Sequence, residues 1–376
     1  MGDNPLGSKQ GEYALIKKER NAGIELLRII SMLMVLVLHT LSSTGALKYL
    51  TGVEFYVYWW MEALSVGAVD IFIIISSYYI VDSKFKAKSV FRVAIGGVWL
   101  YSIVFTAISM IVSGDEWTKM GIIKMFFPFY TKKYWFVNSY VLFYILSPFL
   151  NKLIHSLNKK QHTALAVILF IVFCIRGTFS LLTWTQDDSG RMGILLFLPL
   201  YAIATWLKRY YVIDRKPAKY VLGFFVMSII LVVSKKVMML VGIGADYATK
   251  FYGYTSFNVV LQSFAIFLAF LNIKPITGKI GAFINRVAKH SFSVYIIHFA
   301  MWSVLFTTIL HVDQYIDNVL TGVPTVIVAV ILVYAFCTSI DIVKTFCTEK
   351  ITNLLINTKP YELYDRLMDK WEQAVN

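Results

Sequence analysis

Three side chains that hydrocarbon does not tolerate cheaply sit in one apolar stretch near the start of this 376-residue chain. Glu25, Arg28 and His39 punctuate the run from Ile24 to Leu41, which is otherwise almost continuously apolar and long enough to cross a bilayer as a helix. An ionisable group inside a span costs roughly 3 kcal/mol or more near the bilayer centre, so its presence points first to function. Arg28 and His39 are eleven positions apart. That is three helical turns to within roughly 20°, so both lie on one face, about 16 Å apart along the axis. Glu25 and Arg28, at i and i+3, are within reach of each other. The set offers an anion-binding cation and, far from it, an imidazole able to take and return a proton near neutral pH. A structural reading stands beside the chemical one: Arg28 as a snorkelling anchor, His39 as a packed core histidine.

Other residues invite the same double reading. Asp70, in the middle of the second apolar stretch, is placed either to orient His39 as a carboxylate partner or to pair with an intramembrane base such as Arg176. Arg176 itself suits an anionic acceptor or a snorkelling role. Trp135 belongs to an aromatic belt or offers a face for a sugar ring. Ser291, Tyr295 and His298 form an i, i+4, i+7 stripe on one face of a late span, in hydrogen-bonded structural roles or against a substrate. Two intramembrane histidines, His39 and His298, suggest a metal, but no carboxylate or cysteine spacing accompanies them, and no metal is expected.

The elements that must position these residues are membrane helices. The chain is 58% hydrophobic and 16% aromatic, with a mean hydropathy of +0.65, well above the 45–50% apolar content of soluble domains. The pattern predicts an all-α polytopic protein with about ten spans, near 24–44, 55–81, 90–112, 134–151, 163–183, 191–207, 219–241, 255–272, 290–310 and 322–346. The net charge of +14 is distributed as short basic clusters between spans. It therefore reads as topology, and no nucleic-acid partner is expected. Lys17, Lys18 and Arg20, Lys84 to Lys88, Lys159 and Lys160, Lys208 to Lys219, and Lys274 to Lys289 mark one side. Lys48 with Glu54, Asp187 and Asp188 with Arg191, and Asp313 with Asp317 mark the other. Lys119, Lys124, Lys132 and Lys133 against Asp115 and Glu116 blur the contrast in one connection. The alternation predicts both termini in the cytoplasm. Residues 1–20 are expected to be a flexible cytoplasmic segment, 21–346 the membrane domain and 347–376 an amphipathic cytoplasmic tail. No removed signal peptide is expected, and Cys174, Cys337 and Cys347 suggest no disulfide framework.

Arg28 and His39 within an RN-x-x-IELLR opening resemble the first span of the acyltransferase-3 family, integral-membrane O-acyltransferases of bacterial surface glycans. GAVDIFIIISSYYI is similar to that family's G-V-D-x-F-F-x-x-S-G-Y segment, WFVNSYVLFYILSPFLN to its W-F-x…LY-x-L-S-P-x-L segment and SFSVYIIH to its S-x-x-x-Y-x-x-H segment. The four matches come in family order across residues 20 to 300. Three departures stand out: Glu25 replaces the usual aspartate, Ser77 the glycine of S-G-Y, and the R-x-x-R element is reduced to Lys88 and Arg92.

The resemblance implies acyl transfer, usually acetyl, from cytosolic acyl-coenzyme A to a hydroxyl of a cell-surface or lipid-linked glycan, in the cell membrane. It implies a stand-alone enzyme and leaves an oligomer open. On this reading His39 is the base, directly or through an acyl-histidine relay, assisted by Asp70. Arg28, Lys88 and Arg92 attract the coenzyme's phosphates and Glu25 holds Arg28. Trp135, Tyr295, His298 and Arg176 face the acceptor. The alternative is a transporter or flippase of a lipid-linked saccharide, with the same basic mouth and no chemistry at His39.

Overall fold

The computed structural model describes residues 20–114, 117–129, 131, 133–179, 193–242, 247–355 and 358–376. The expected mobile N-terminal segment, with Lys17 and Lys18, lies outside the described residues, as do Asp115, Glu116, Lys132 and the connection carrying Asp187, Asp188 and Arg191. Among the described residues every regular element is helical. Eight helices among the described residues are long and apolar enough to cross a membrane. The remaining two expected spans correspond to α7 (Trp135–Ser156) and α10 (Phe197–Tyr210). α7 is interrupted by polar side chains such as Asn138, Asn151 and His155, and α10 has only 14 described helical residues.

The hub is α1 (Ala22–Ser43). Asn21 starts it: its Oδ1 accepts from the Gly23 and Ile24 amides at 3.0 and 3.3 Å, satisfying donors that the first turn leaves open. Glu25 adds a negative charge at that positive end. Inside the span Ser31 and Thr40 donate to the carbonyls of Leu27 and Leu36, one turn back, so neither hydroxyl is stranded in an apolar setting. The helix stops where Gly45 takes a left-handed conformation at φ +72°.

Around α1 pack α2 (Gly52–Ser65) with its near-continuation α3 (Ala68–Ile80), α12 (Phe257–Asn272), α13 (Gly278–Ala288), α14 (Ser291–Ser303) and α15 (Val319–Leu355). A second layer comprises α4 (Ala87–Phe91), which passes through a wide π-helical stretch (Arg92–Trp99) into α5 (Leu100–Ser113), followed by α6 (Lys119–Phe126) and α7. α8 (Lys159–Leu169), a π-helical stretch (Phe170–Ile175), α9 (Arg176–Phe179), α10 and α11 (Pro217–Leu240) complete it. α11 turns Leu222, Ile229, Val233, Val237 and Leu240 outward, as expected of a lipid-facing helix.

The connections gather at two ends. At one, Asn151 on α7 donates to the Ile80 carbonyl at 2.9 Å and His155 bonds the Val81 carbonyl at 3.0 Å. At the other, Tyr49 and Lys48 bind Asp317 and pin the α1–α2 connection to the one before α15. The Tyr49 hydrogen bond, then the Lys48 charge, hold the Asp317 carboxyl below the usual carboxylate range.

α15 runs on as one 37-residue helix, about 55 Å long and so longer than a bilayer core is thick. The tail then returns as α16 (Lys359–Val375), packed on the start of α4: Trp371 meets the rings of Phe85 and Phe91, and the Asn376 amide bonds both backbone groups of Phe85.

Candidate active site

Between α1, α3, α7, α10 and α14 lies a cavity of about 960 Å³. Its charged end carries Arg20, Arg28, Lys208 and Lys289 against Glu25 and Asp82. Glu25, almost fully buried, binds Arg28 Nε at 3.2 Å and Arg20 Nη1 at 3.7 Å, fixing the first guanidinium through one of its five donors. Asp82 lies 3.9 Å from Lys208, whose ammonium sits 4.7 Å over the Tyr78 ring. From this basic mouth the walls turn apolar and aromatic: Val35, Val69, Phe72, Phe136, Tyr140 and Tyr295. Arg28 to Val35 spans seven positions of α1, so the cavity extends at least about 10 Å along that helix.

One turn beyond Val35 stands His39. Its Nδ1 lies 2.8 Å from Nε2 of His298, which is fully buried on α14. His298 Nδ1 in turn lies 2.7 Å from the Val294 carbonyl. A carbonyl only accepts, so His298 carries its hydrogen on Nδ1 and a neutral ring presents a bare Nε2. His39 therefore donates through Nδ1, and its own Nε2 keeps a lone pair able to accept a proton. Phe299 and Trp302 flank the His39 ring, with centroids 5.4 and 5.1 Å away. The height of α14 is set elsewhere. His290 and Tyr101 both bind the Asp341 carboxylate, at 2.6 and 2.5 Å, which ties α14 to α5 and α15. Among the described residues no group of three histidine, cysteine or carboxylate side chains is arranged to hold a metal.

Of the residues singled out in the sequence, Glu25, Arg28, Ser291 and Tyr295 line this cavity, and His39 and His298 meet just past its apolar end. The others are placed elsewhere. Asp70 does not orient His39: the Nδ1 position is taken by His298, and neither Asp70 oxygen has a hydrogen-bond partner among the described residues. Lys88 points away from the cavity because Asp365 and Asp369 of α16 hold its ammonium at 2.7 and 3.0 Å. Arg92 is exposed and lines no part of the cavity, and Arg176 is also exposed. Trp135 stacks on Tyr254 at 5.7 Å. The cations that complete the mouth, Arg20, Lys208 and Lys289, read in the sequence only as positive-inside charges. A loop lysine that sets topology and one that lines a cavity look alike in one dimension.

These features define a polytopic helical membrane protein with a cavity that carries basic side chains at one end and an imidazole pair beyond its apolar end. Residues 21–341 match the model of the acyltransferase-3 family, described as an acyltransferase domain, and the chain belongs to that family. It is a membrane enzyme that transfers acyl groups other than aminoacyl groups, and the flippase alternative gives way on this ground. Searches of curated proteins and of solved structures gave no match.

Proposed function

We propose that this acyltransferase moves an acyl group, acetyl by the family resemblance, from cytosolic acyl-coenzyme A to a hydroxyl of a cell-surface or lipid-linked glycan. On this reading it is a multi-pass protein of the cell membrane with its basic cavity end in the cytosol. The observation that carries the reading is the His39–His298–Val294 chain of hydrogen bonds, which leaves His39 Nε2 as a positioned base. A sugar hydroxyl is a weak nucleophile, and attack on a thioester needs a base that works near neutral pH. The imidazolium formed when His39 takes the proton keeps its Nδ1 hydrogen bond to His298, so no reorganisation is needed at that step.

The cavity supports the donor half. Phosphates suit a mouth of two arginines and two lysines, with guanidinium forks for bidentate contact. The long pantetheine arm suits the apolar stretch between Arg28 and Val35. The acyl end would then arrive one turn from His39, while the acceptor approaches from the side of Phe299 and Trp302.

The test uses purified protein in lipid nanodiscs, with acetyl-coenzyme A as donor, water as the acyl acceptor and free thiol release as the signal. Wild type is expected to release thiol, and His39→Gln to do so about 10²–10⁴-fold more slowly with donor affinity within about twofold. Glutamine keeps a hydrogen-bonding amide of similar size but has no base. A His39→Gln enzyme at wild-type rate would remove His39 from the chemistry.

A further inference from the structure

We propose that Tyr295 supplies the hydrogen bond that stabilises the acyl oxygen during transfer. The proposal rests on the acyl-coenzyme A reading above and deepens it. Tyr295 is 91% buried on α14, three residues before His298. Its ring lies 5.9 Å from the His298 ring, which is itself 5.0 Å from that of His39. It also lines the apolar end of the cavity, where its ring meets Phe136 at 5.7 Å. Yet its hydroxyl has no hydrogen-bond partner among the described residues.

A buried phenol without a partner is costly, and buried polar groups are normally satisfied. This one belongs to a residue that lines the apolar end of the cavity, where the donor's thioester would arrive on the reading above. An O–H donor held there before the substrate arrives, in surroundings that exclude water, is what a developing oxyanion requires. The tyrosine side chain is fixed by packing against Phe136, His298 and Phe299, so its hydroxyl needs no ordering at the moment of reaction.

The step balances as follows. The acceptor oxygen bonds to the acyl carbon while its proton passes to His39 Nε2, and the carbonyl π electrons move onto oxygen, which accepts from Tyr295. Collapse restores the carbonyl and breaks the carbon–sulfur bond. The sulfur leaves with the pair and takes the proton from His39, giving the ester and the coenzyme thiol.

Tyr295→Phe removes the hydroxyl alone. With acetyl-coenzyme A as probe and thiol release as the readout, kcat is expected to fall about 10²–10³-fold. KM and the calorimetric Kd for acetyl-coenzyme A should stay within about twofold. The melting temperature should be equal to wild type or higher, since an unpaired buried group is lost. That combination separates the role from a structural one, which would lower the melting temperature. A kcat within threefold of wild type overturns the proposal, as does a variant that loses donor affinity or thermal stability together with rate. If wild type turns over, His39→Gln is slow and Tyr295→Phe is normal, this proposal alone falls. If wild type releases no thiol at all, the acyl-coenzyme A reading falls and takes this one with it.

Discussion

An imidazole in a membrane span becomes a usable base only when its tautomer is fixed, and here another histidine fixes it. Val294 determines which nitrogen of His298 carries hydrogen, and that determines which nitrogen of His39 is bare. On the proposed mechanism His298 thus positions the base. His298→Phe should lower kcat by about 10²-fold or more, because His39 Nδ1 loses its acceptor and the ring can present either nitrogen. His298→Gln keeps an oxygen that can accept from Nδ1 and should be less damaging. Equal rates for the two variants in the thiol-release assay would argue against tautomer control. At the mouth, Arg28→Ala should weaken acetyl-coenzyme A binding by about 10- to 100-fold, the loss expected for one charged hydrogen-bond partner. Arg28→Lys should recover part of it, keeping charge without the fork. Unchanged affinity by calorimetry in Arg28→Ala would return Arg28 to its anchoring role.

Among the elements, the tail helix decides the fate of a residue far from it in sequence. α16 covers the start of α4 with Trp371 and Met368, and its Asp365 and Asp369 take up Lys88. Lys88→Ala should therefore leave donor affinity unchanged, whereas Trp371→Ala should release α16 and raise its susceptibility to limited proteolysis. Ring packing holds this contact more firmly than partly exposed ion pairs, which contribute little in water. A drop in acetyl-coenzyme A affinity in Lys88→Ala would put that lysine back at the mouth. α13 is fitted just as closely. A Cβ on Gly281 would lie 2.6 Å from the Ile276 carbonyl oxygen and 3.6 Å from the Ala22 Cβ at the start of α1. Gly281→Ala should lower the melting temperature by several degrees, the cost of overpacking against backbone that cannot step aside.

Across the whole molecule, the connections sort into two ends. Arg20, Asp82, Lys208 and Lys289 line one cavity mouth although they come from four separate parts of the chain, and α16 packs at the same end. That sorting, with the lysine and arginine bias, sets the expected orientation. Reporter fusions after Lys84, Lys159 and Lys279 should read cytoplasmic, and those after Thr51 and Asp313 external. A reversed pair would disconnect the mouth from any cytosolic donor.

Much was legible in one dimension because membrane helices write themselves into sequence: apolar length gives the span, and helical period puts Arg28 and His39 on one face. Glu25 beside Arg28 was equally local, an i, i+3 contact that needs no tertiary information. The partner of His39 was not legible. His298 lies 259 positions away, and only the docking of α14 on α1, at a height set by His290, Tyr101 and Asp341, brings the rings together. For the same reason Asp70, well placed on paper, makes no hydrogen bond to His39, and Lys88 is claimed by a helix that sequence order puts last. Helix period fixes which side chains share a face. Which faces meet is decided by packing and by where buried hydrogen bonds can be satisfied.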